Sequence, residues 1–429
     1  MSDPADRAAS DVDASDVASA SRPADVAPSR ARDVVVKATG GAIVGIASGL
    51  ASAIFLLGLD AVTRTRVAHP AIVSALPLAG LAWGAWLARF GTPVARGTEL
   101  VLDTIHEGGP RLPARMAPLV LVGTWVTHLF GGSAGREGTA VQMGASFADL
   151  LVHVHRAFGR HRRSLLAAGM AGGFGSVFGT PWAGAVFGIE ALVVGRLEVS
   201  ALVPALVASF VGDTVVHACG VVHTPYPAAA VLVTTPILVA RWVVFGSAVG
   251  IVARVFVVAL HAAKRWSSRW VPSLPWRMAI GGLLVAVGAR VLGTHAYLGL
   301  GVDGILRAFA EPAVGADMFA LKMAFTVVTL GVGFVGGEVT PFFFVGAAAG
   351  ATCAHALGLP VSMGAAVGMA TAFGVASRAP LALAIMAFEL VGAAVMPHVA
   401  IAMFAAVLVA GETGLWTSQR RSTGKFRVP

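Results

Sequence analysis

The chain has 429 residues, 56% of them hydrophobic and 12% charged, with a mean hydropathy of +0.79. A water-soluble domain carries about a quarter charged residues, so this composition excludes the soluble globular class and points to lipid as the solvent. The formal net charge of +9 would suggest nucleic acid in a soluble protein. Here the basic residues group between apolar runs, as at Arg160, Arg162 and Arg163, at Lys264, Arg265 and Arg269, and at Arg420, Arg421, Lys425 and Arg427. Retention of positive loops on the cytoplasmic side accounts for them, and no nucleic-acid partner is expected. Cys219 and Cys353 offer no disulfide framework, and no metal site or cofactor is expected.

Residues 1–33 are rich in Ala, Ser, Asp, Arg and Pro and lack an apolar core, which reads as a disordered cytoplasmic tail rather than a signal peptide. Apolar stretches near bilayer-spanning length follow at Ala42 to Leu59, Ala71 to Leu87, Ala201 to Val216 and Ile237 to Leu260. Others are short, as at Ile280 to Leu292, or interrupted, as at Gly131 to Gly138, Gly179-Thr180-Pro181, Gly336 to Pro341 and Ala379-Pro380. Broken helices at membrane depth are tolerated where they line a protected polar cavity. The chain stops a few residues past Gln419-Arg420, with a short tail at 422–429 and no regulatory domain expected after it.

The chain also repeats itself. Gly169-Met170-Ala171 recurs as Gly368-Met369-Ala370, Phe174-Gly175 as Phe373-Gly374, Pro181 as Pro380 and Glu190 as Glu389. Upstream, Gly135-Arg136-Glu137-Gly138-Thr139 recurs as Gly336-Gly337-Glu338-Val339-Thr340. Two halves, 34–221 and 222–421, are expected, with a binding site at their interface near the bilayer midplane.

The glycines around Glu137 allow close backbone approach, and the residues after them start a helix whose unpaired N–H groups and positive dipole end suit an anion. A carboxylate in that position competes with the anion and is displaced or protonated to open the site. Alternatively, Glu137 only satisfies the dipole or pairs with Arg136. The second motif, Gly336 to Pro341, also reads as a helix start, with proline in the first turn. The amides of Val339 and Thr340 are candidates to converge on the same anion.

These motifs, together with Gly179 to Gly184 leading to Glu190 and Ser377-Arg378-Ala379-Pro380 leading to Glu389, resemble the CLC family of chloride channels and anion/proton antiporters. The resemblance runs from about Val34 to near the end. It implies an all-α polytopic membrane protein with an inverted-repeat fold and broken half-helices, and a homodimer with one pore per subunit in a bacterial plasma membrane. It makes Glu137 the gating and proton-transfer glutamate, and Gly97, Thr98, Arg136, Gly138, Val339, Thr340 and Trp416 the anion-binding set. Thr98 stands where the family's first anion motif has serine, with Glu99 beside it expected to face outward or in a salt bridge. Trp416 stands for the pore tyrosine and keeps an N–H donor. Ala191 replaces the internal proton-transfer glutamate of many chloride antiporters. Thr139, the Val141-Gln142-Met143 run and Glu338-Val339-Thr340 resemble the fluoride/proton branch, although the bulky or amide residue and the aromatic pair expected there near the first motif are absent, Thr98, Glu99 and Leu102 standing there instead. Fluoride is the leading substrate and chloride the next.

Two other readings compete. A passive chloride channel shares every feature except proton coupling. An intramembrane serine hydrolase is suggested by Gly131-Gly132-Ser133-Ala134-Gly135 with His128 nearby, a pattern that needs the histidine positioned on the serine. The remaining histidines read as interfacial or packing residues, with His106 and His128 as alternatives for proton relay.

Overall fold

A computed structural model of the chain describes residues 30–91, 94–108, 111–233, 235–310 and 314–421. The first half holds α1 (Arg30–Ala68), α2 (Leu76–Phe90), α3 (Thr98–Glu107), α4 (Met116–Leu129), α5 (Glu137–Val154), α6 (Arg162–Phe178), α7 (Pro181–Glu190) and α8 (Leu202–Ala218). The second holds α9 (Pro236–Trp270), α10 (Leu274–Leu292), α11 (Val302–Ala308), α12 (Ala316–Gly331), α13 (Val339–Ala356), α14 (Val361–Ser377), α15 (Pro380–Val391) and α16 (Met396–Ala410). A two-residue parallel pairing joins Val193–Val194 to Arg420–Arg421. Seven helical stretches among the described residues are long and apolar enough to cross a membrane.

Among the described residues, helix α1 runs from Arg30, inside the segment expected to be disordered. An i,i+4 pair between Asp33 and Lys37 at 2.9 Å and an acid in the first turn support helix beyond the apolar stretch. At 1.5 Å per residue its 39 residues extend about 58 Å, well past the hydrocarbon layer. The rest of that tail and the predicted tail at 422–429 lie outside the described residues.

Glycine sets the closest packing. A Cβ on Gly144 of α5 would collide with the Gly169 carbonyl of α6, and one on Gly346 of α13 with the Gly368 carbonyl of α14. The two helix pairs thus approach through the same device, since small residues let backbones meet where lipid provides no hydrophobic drive between helices.

The short helices are capped across the molecule. Glu190, at the end of α7, accepts from Leu381 N at 3.0 Å and Ala382 N at 2.7 Å at the start of α15. Glu389, near the end of α15, accepts from Trp182 N at 3.0 Å and Ala183 N at 2.8 Å at the start of α7. Each carboxylate satisfies amides that the other helix's first turn leaves without partners. The repeated glutamates therefore hold two antiparallel half-helices side by side.

Candidate functional site

The starts of α5 and α13 meet head to head. Gly135 and Gly337 form an isolated antiparallel bridge, with Gly135 N donating to Gly337 O at 2.6 Å and Gly337 N to Gly135 O at 2.8 Å. Two glycines are required because the backbones touch; a Cβ on Gly337 would stand 2.8 Å from Gly138 N, 3.1 Å from Glu137 N and 3.3 Å from Arg136 N. Leaving out that one carbon keeps the space in front of three successive helix-start amides open.

Glu137 is fully buried, and its carboxylate lies across this junction. Oε2 accepts from Arg136 N and from Thr340 N, both at 3.1 Å, and Oε1 accepts from the Thr340 hydroxyl at 2.5 Å. The Arg136 guanidinium stands 3.4 Å from Oε1. A buried carboxylate is costly in lipid unless donors surround it, and these donors come from both helix starts. The same donors suit any small anion.

Of the expected anion set, Arg136, Gly138 and Thr340 meet at Glu137's end of the site. Val339 is buried in the first turn of α13, but the amide that reaches the carboxylate is the next one, from Thr340. Gly97 and Thr98 start α3, Gly97 at φ 56° and Thr98 buried. Thr98 Oγ1 accepts from Gln142 Nε2 at 3.2 Å. An amide group does stand beside the first motif, delivered by α5 from 44 residues away. Only its place in the Val141-Gln142-Met143 run hinted at it.

Glu99 is partly exposed and accepts from Thr417 Oγ1 at 2.9 Å and Thr417 N at 3.3 Å, so a hydroxyl and an amide take the place of the alternative salt bridge. Its neighbour Trp416 is buried, with its ring edge-on to Phe187 at 6.1 Å and Phe373 at 6.3 Å. The Trp416 indole N–H is buried with no hydrogen-bond partner among the described residues, which leaves a donor free. The His261 ring, 3.0 Å from Leu415 O, holds the segment before it.

Glu338 follows Gly337 and lies near Lys264, whose Nζ is 3.8 Å from its Oε1. A Cβ on Gly138 would come within 3.5 Å of Glu338 Oε2, so the second acid of the repeat borders the same junction.

His128 does not touch Ser133. Its Nδ1 is 2.8 Å from Thr124 O and its Nε2 3.1 Å from Ala134 O, while Ser133 Oγ pairs with Thr326 Oγ1 at 2.9 Å. The serine lacks the base that a hydrolase needs, and His128 packs the turn before α5. His106 Nε2 is buried without a hydrogen-bond partner among the described residues. Cys219 and Cys353 are both free.

The pattern that describes the voltage gated chloride channel family matches residues 78–411. The chain belongs to the CLC family. A chloride/fluoride channel protein of Pseudomonas syringae pv. tomato is 44% identical over 393 residues, covering 90% of this chain and 87% of that protein. A solved CLC-type fluoride/proton antiporter superposes with a TM-score of 0.88 at 32% identity, over 90% of this chain and 98% of that one. A slow cyanobacterial Cl⁻/H⁺ antiporter shares the fold, with a TM-score of 0.75 at 20% identity over 87% of this chain and 94% of that one. Within the CLC fold, the head-to-head junction at Glu137 is where this chain's two halves converge.

Proposed function

We propose that this protein carries halide anions across a membrane as an anion/proton antiporter, with fluoride as its leading substrate and Glu137 as gate and proton carrier. The observation that carries this reading is the Glu137 carboxylate seated on the amides of Arg136 and Thr340 and on the Thr340 hydroxyl. A carboxylate held by donors suited to an anion competes with that anion. Protonation removes its charge and weakens these bonds, so the side chain leaves and a halide takes the donors; the proton then crosses with the carboxyl group. Gly97, Thr98, Gly138, Val339 and Trp416 extend the anion path, with Gln142 orienting Thr98.

Fluoride leads because the likeness to the fluoride/proton antiporter covers nearly the whole chain at appreciable identity. Proteoliposomes loaded with fluoride or chloride, read with ion-selective electrodes and a proton-sensitive dye, test substrate and coupling together. The expected result is halide efflux coupled to proton uptake. Halide flux without proton movement gives the passive channel instead, and no halide flux defeats both.

The halves 34–221 and 222–421 form the two repeats in this proposal, supported by the paired glycine contacts and reciprocal Glu190 and Glu389 caps. The basic loop at 156–163, the end of α9 and residues 420–421 face the cytoplasm of a bacterial plasma membrane, as the positive-inside rule requires. That orientation turns Glu137 and the loop after α8 outward. The subunits pair as a homodimer embedded in lipid.

A further inference from the structure

Outside the anion path, the end of α8 and the loop after it gather three metal-ligating side chains. Asp213, His217 and His223 each place a ligand atom within 4.8 Å of the other two. We propose that they form a transition-metal site of the zinc class, which ties residues 221–226 to α8 at the outer entrance.

The donor set is two imidazoles and one carboxylate, a three-ligand arrangement that leaves a fourth position for water. Asp213 and His217 lie one helical turn apart on one face of α8, and His217 Nδ1 stands 3.4 Å from Asp213 Oδ1. His223 enters from the loop. Its Nε2 is 3.0 Å from Ser176 O, and with the proton donated there the Nδ1 lone pair points away from that bond. A hydrogen bond from the ring nitrogen that does not face the metal fixes both tautomer and ring orientation.

Two of the three groups have buried ligand atoms that make no hydrogen bond among the described residues: Asp213 Oδ1, whose contact is the 3.4 Å approach of His217 Nδ1, and His223 Nδ1. Buried polar atoms are nearly always satisfied, so two orphans facing one cluster call for an occupant. Bonds of about 2.0–2.2 Å require ligand atoms roughly 3.3 Å apart, closer than the present limit. The His217 ring, 55% exposed, supplies that closure by giving up the 2.9 Å contact of its Nδ1 with Asp213 O.

The loop gives the site its consequence. Three residues beyond His223, Tyr226 packs its ring 5.7 Å from Phe309, and burial pushes its hydroxyl up to about 12, with the charges of Arg136 and Glu137 acting on it in opposite directions. A metal at His223 therefore holds in place a segment that reaches the electrostatic surroundings of Glu137.

The full-length protein, purified in detergent, is titrated with Zn²⁺ by calorimetry and with Co²⁺ by visible absorption. The expected result is about one ion per chain with a low-symmetry cobalt spectrum. Affinity should fall at least tenfold in His217→Ala and in His223→Ala, and Asp213→Asn serves as a third variant. Cys219→Ser should bind as the wild type does, because the exposed Cys219 thiol takes no part. No saturable binding, wild-type affinity in both histidine variants, or loss of binding in Cys219→Ser overturns the site. Size-exclusion profiles matching the wild type show that a variant has folded. In proteoliposomes, micromolar Zn²⁺ outside should slow halide efflux severalfold in the wild type and leave His223→Ala unchanged; equal wild-type rates with and without Zn²⁺ overturn the tie to the entrance. The binding measurements do not depend on the antiport reading, so either can fail alone.

Discussion

Two bonds from Thr340 hold the Glu137 carboxylate in its seat, and they can be separated. Thr340→Val keeps the backbone amide and removes only the hydroxyl. A hydrogen bond to a charged group contributes about 1.5–3 kcal/mol, so the seated state should lose roughly tenfold or more in occupancy. Faster halide efflux from proteoliposomes is the expected outcome, and an unchanged rate would show that the hydroxyl does not hold the gate. Glu137→Gln retains the shape of the side chain but not its titration. Halide movement without proton movement is expected, and coupling that survives would remove Glu137 from the proton path. At Gly337 the argument is steric: Gly337→Ala puts a methyl group 2.8 Å from Gly138 N, in front of the amides. Transport should be lost, with the purified protein still eluting as the wild type does. Glu137 was legible in the sequence because an acid among glycines in an apolar chain has few uses. Gln142 was not legible as a partner, since nothing local links it to Thr98.

Helix ends decide the roles of the paired acids. Glu190 was read beside a missing proton-transfer residue, but its carboxylate caps α15, as Glu389 caps α7. Each accepts two backbone amides, so Glu190→Gln and Glu389→Gln should destabilise the protein by similar amounts, about 1–3 kcal/mol each. Thermal unfolding in detergent measures this, and proton coupling measured on the same Glu190→Gln sample should match the wild type. Lost coupling at unchanged stability would return Glu190 to the proton path. The repeat was visible as recurring Gly, Pro and Glu, yet those letters do not say that each glutamate serves the opposite helix. That follows from the antiparallel placement of α7 and α15. The boundary at Arg30 likewise depended on a charged turn, Asp33 to Lys37, that carries helix into a segment whose composition reads as disordered.

At the scale of the molecule, the proposed homodimer is checked by cross-linking or single-molecule photobleaching in liposomes, with two chains per particle expected and single chains opposing it. By itself the sequence determined the class of solvent, the family and the broken helices, and it singled out Glu137, because a membrane constrains composition and periodicity along the chain, where both are written locally. Only the tertiary structure decided which groups meet. Thr340 reaches Glu137 across 203 residues, Gln142 reaches Thr98 across 44, and His223 reaches the face of α8 from a loop. Such meetings depend on how the half-helices are aimed at one another, and that aim is set by packing between distant glycines, which no local pattern records.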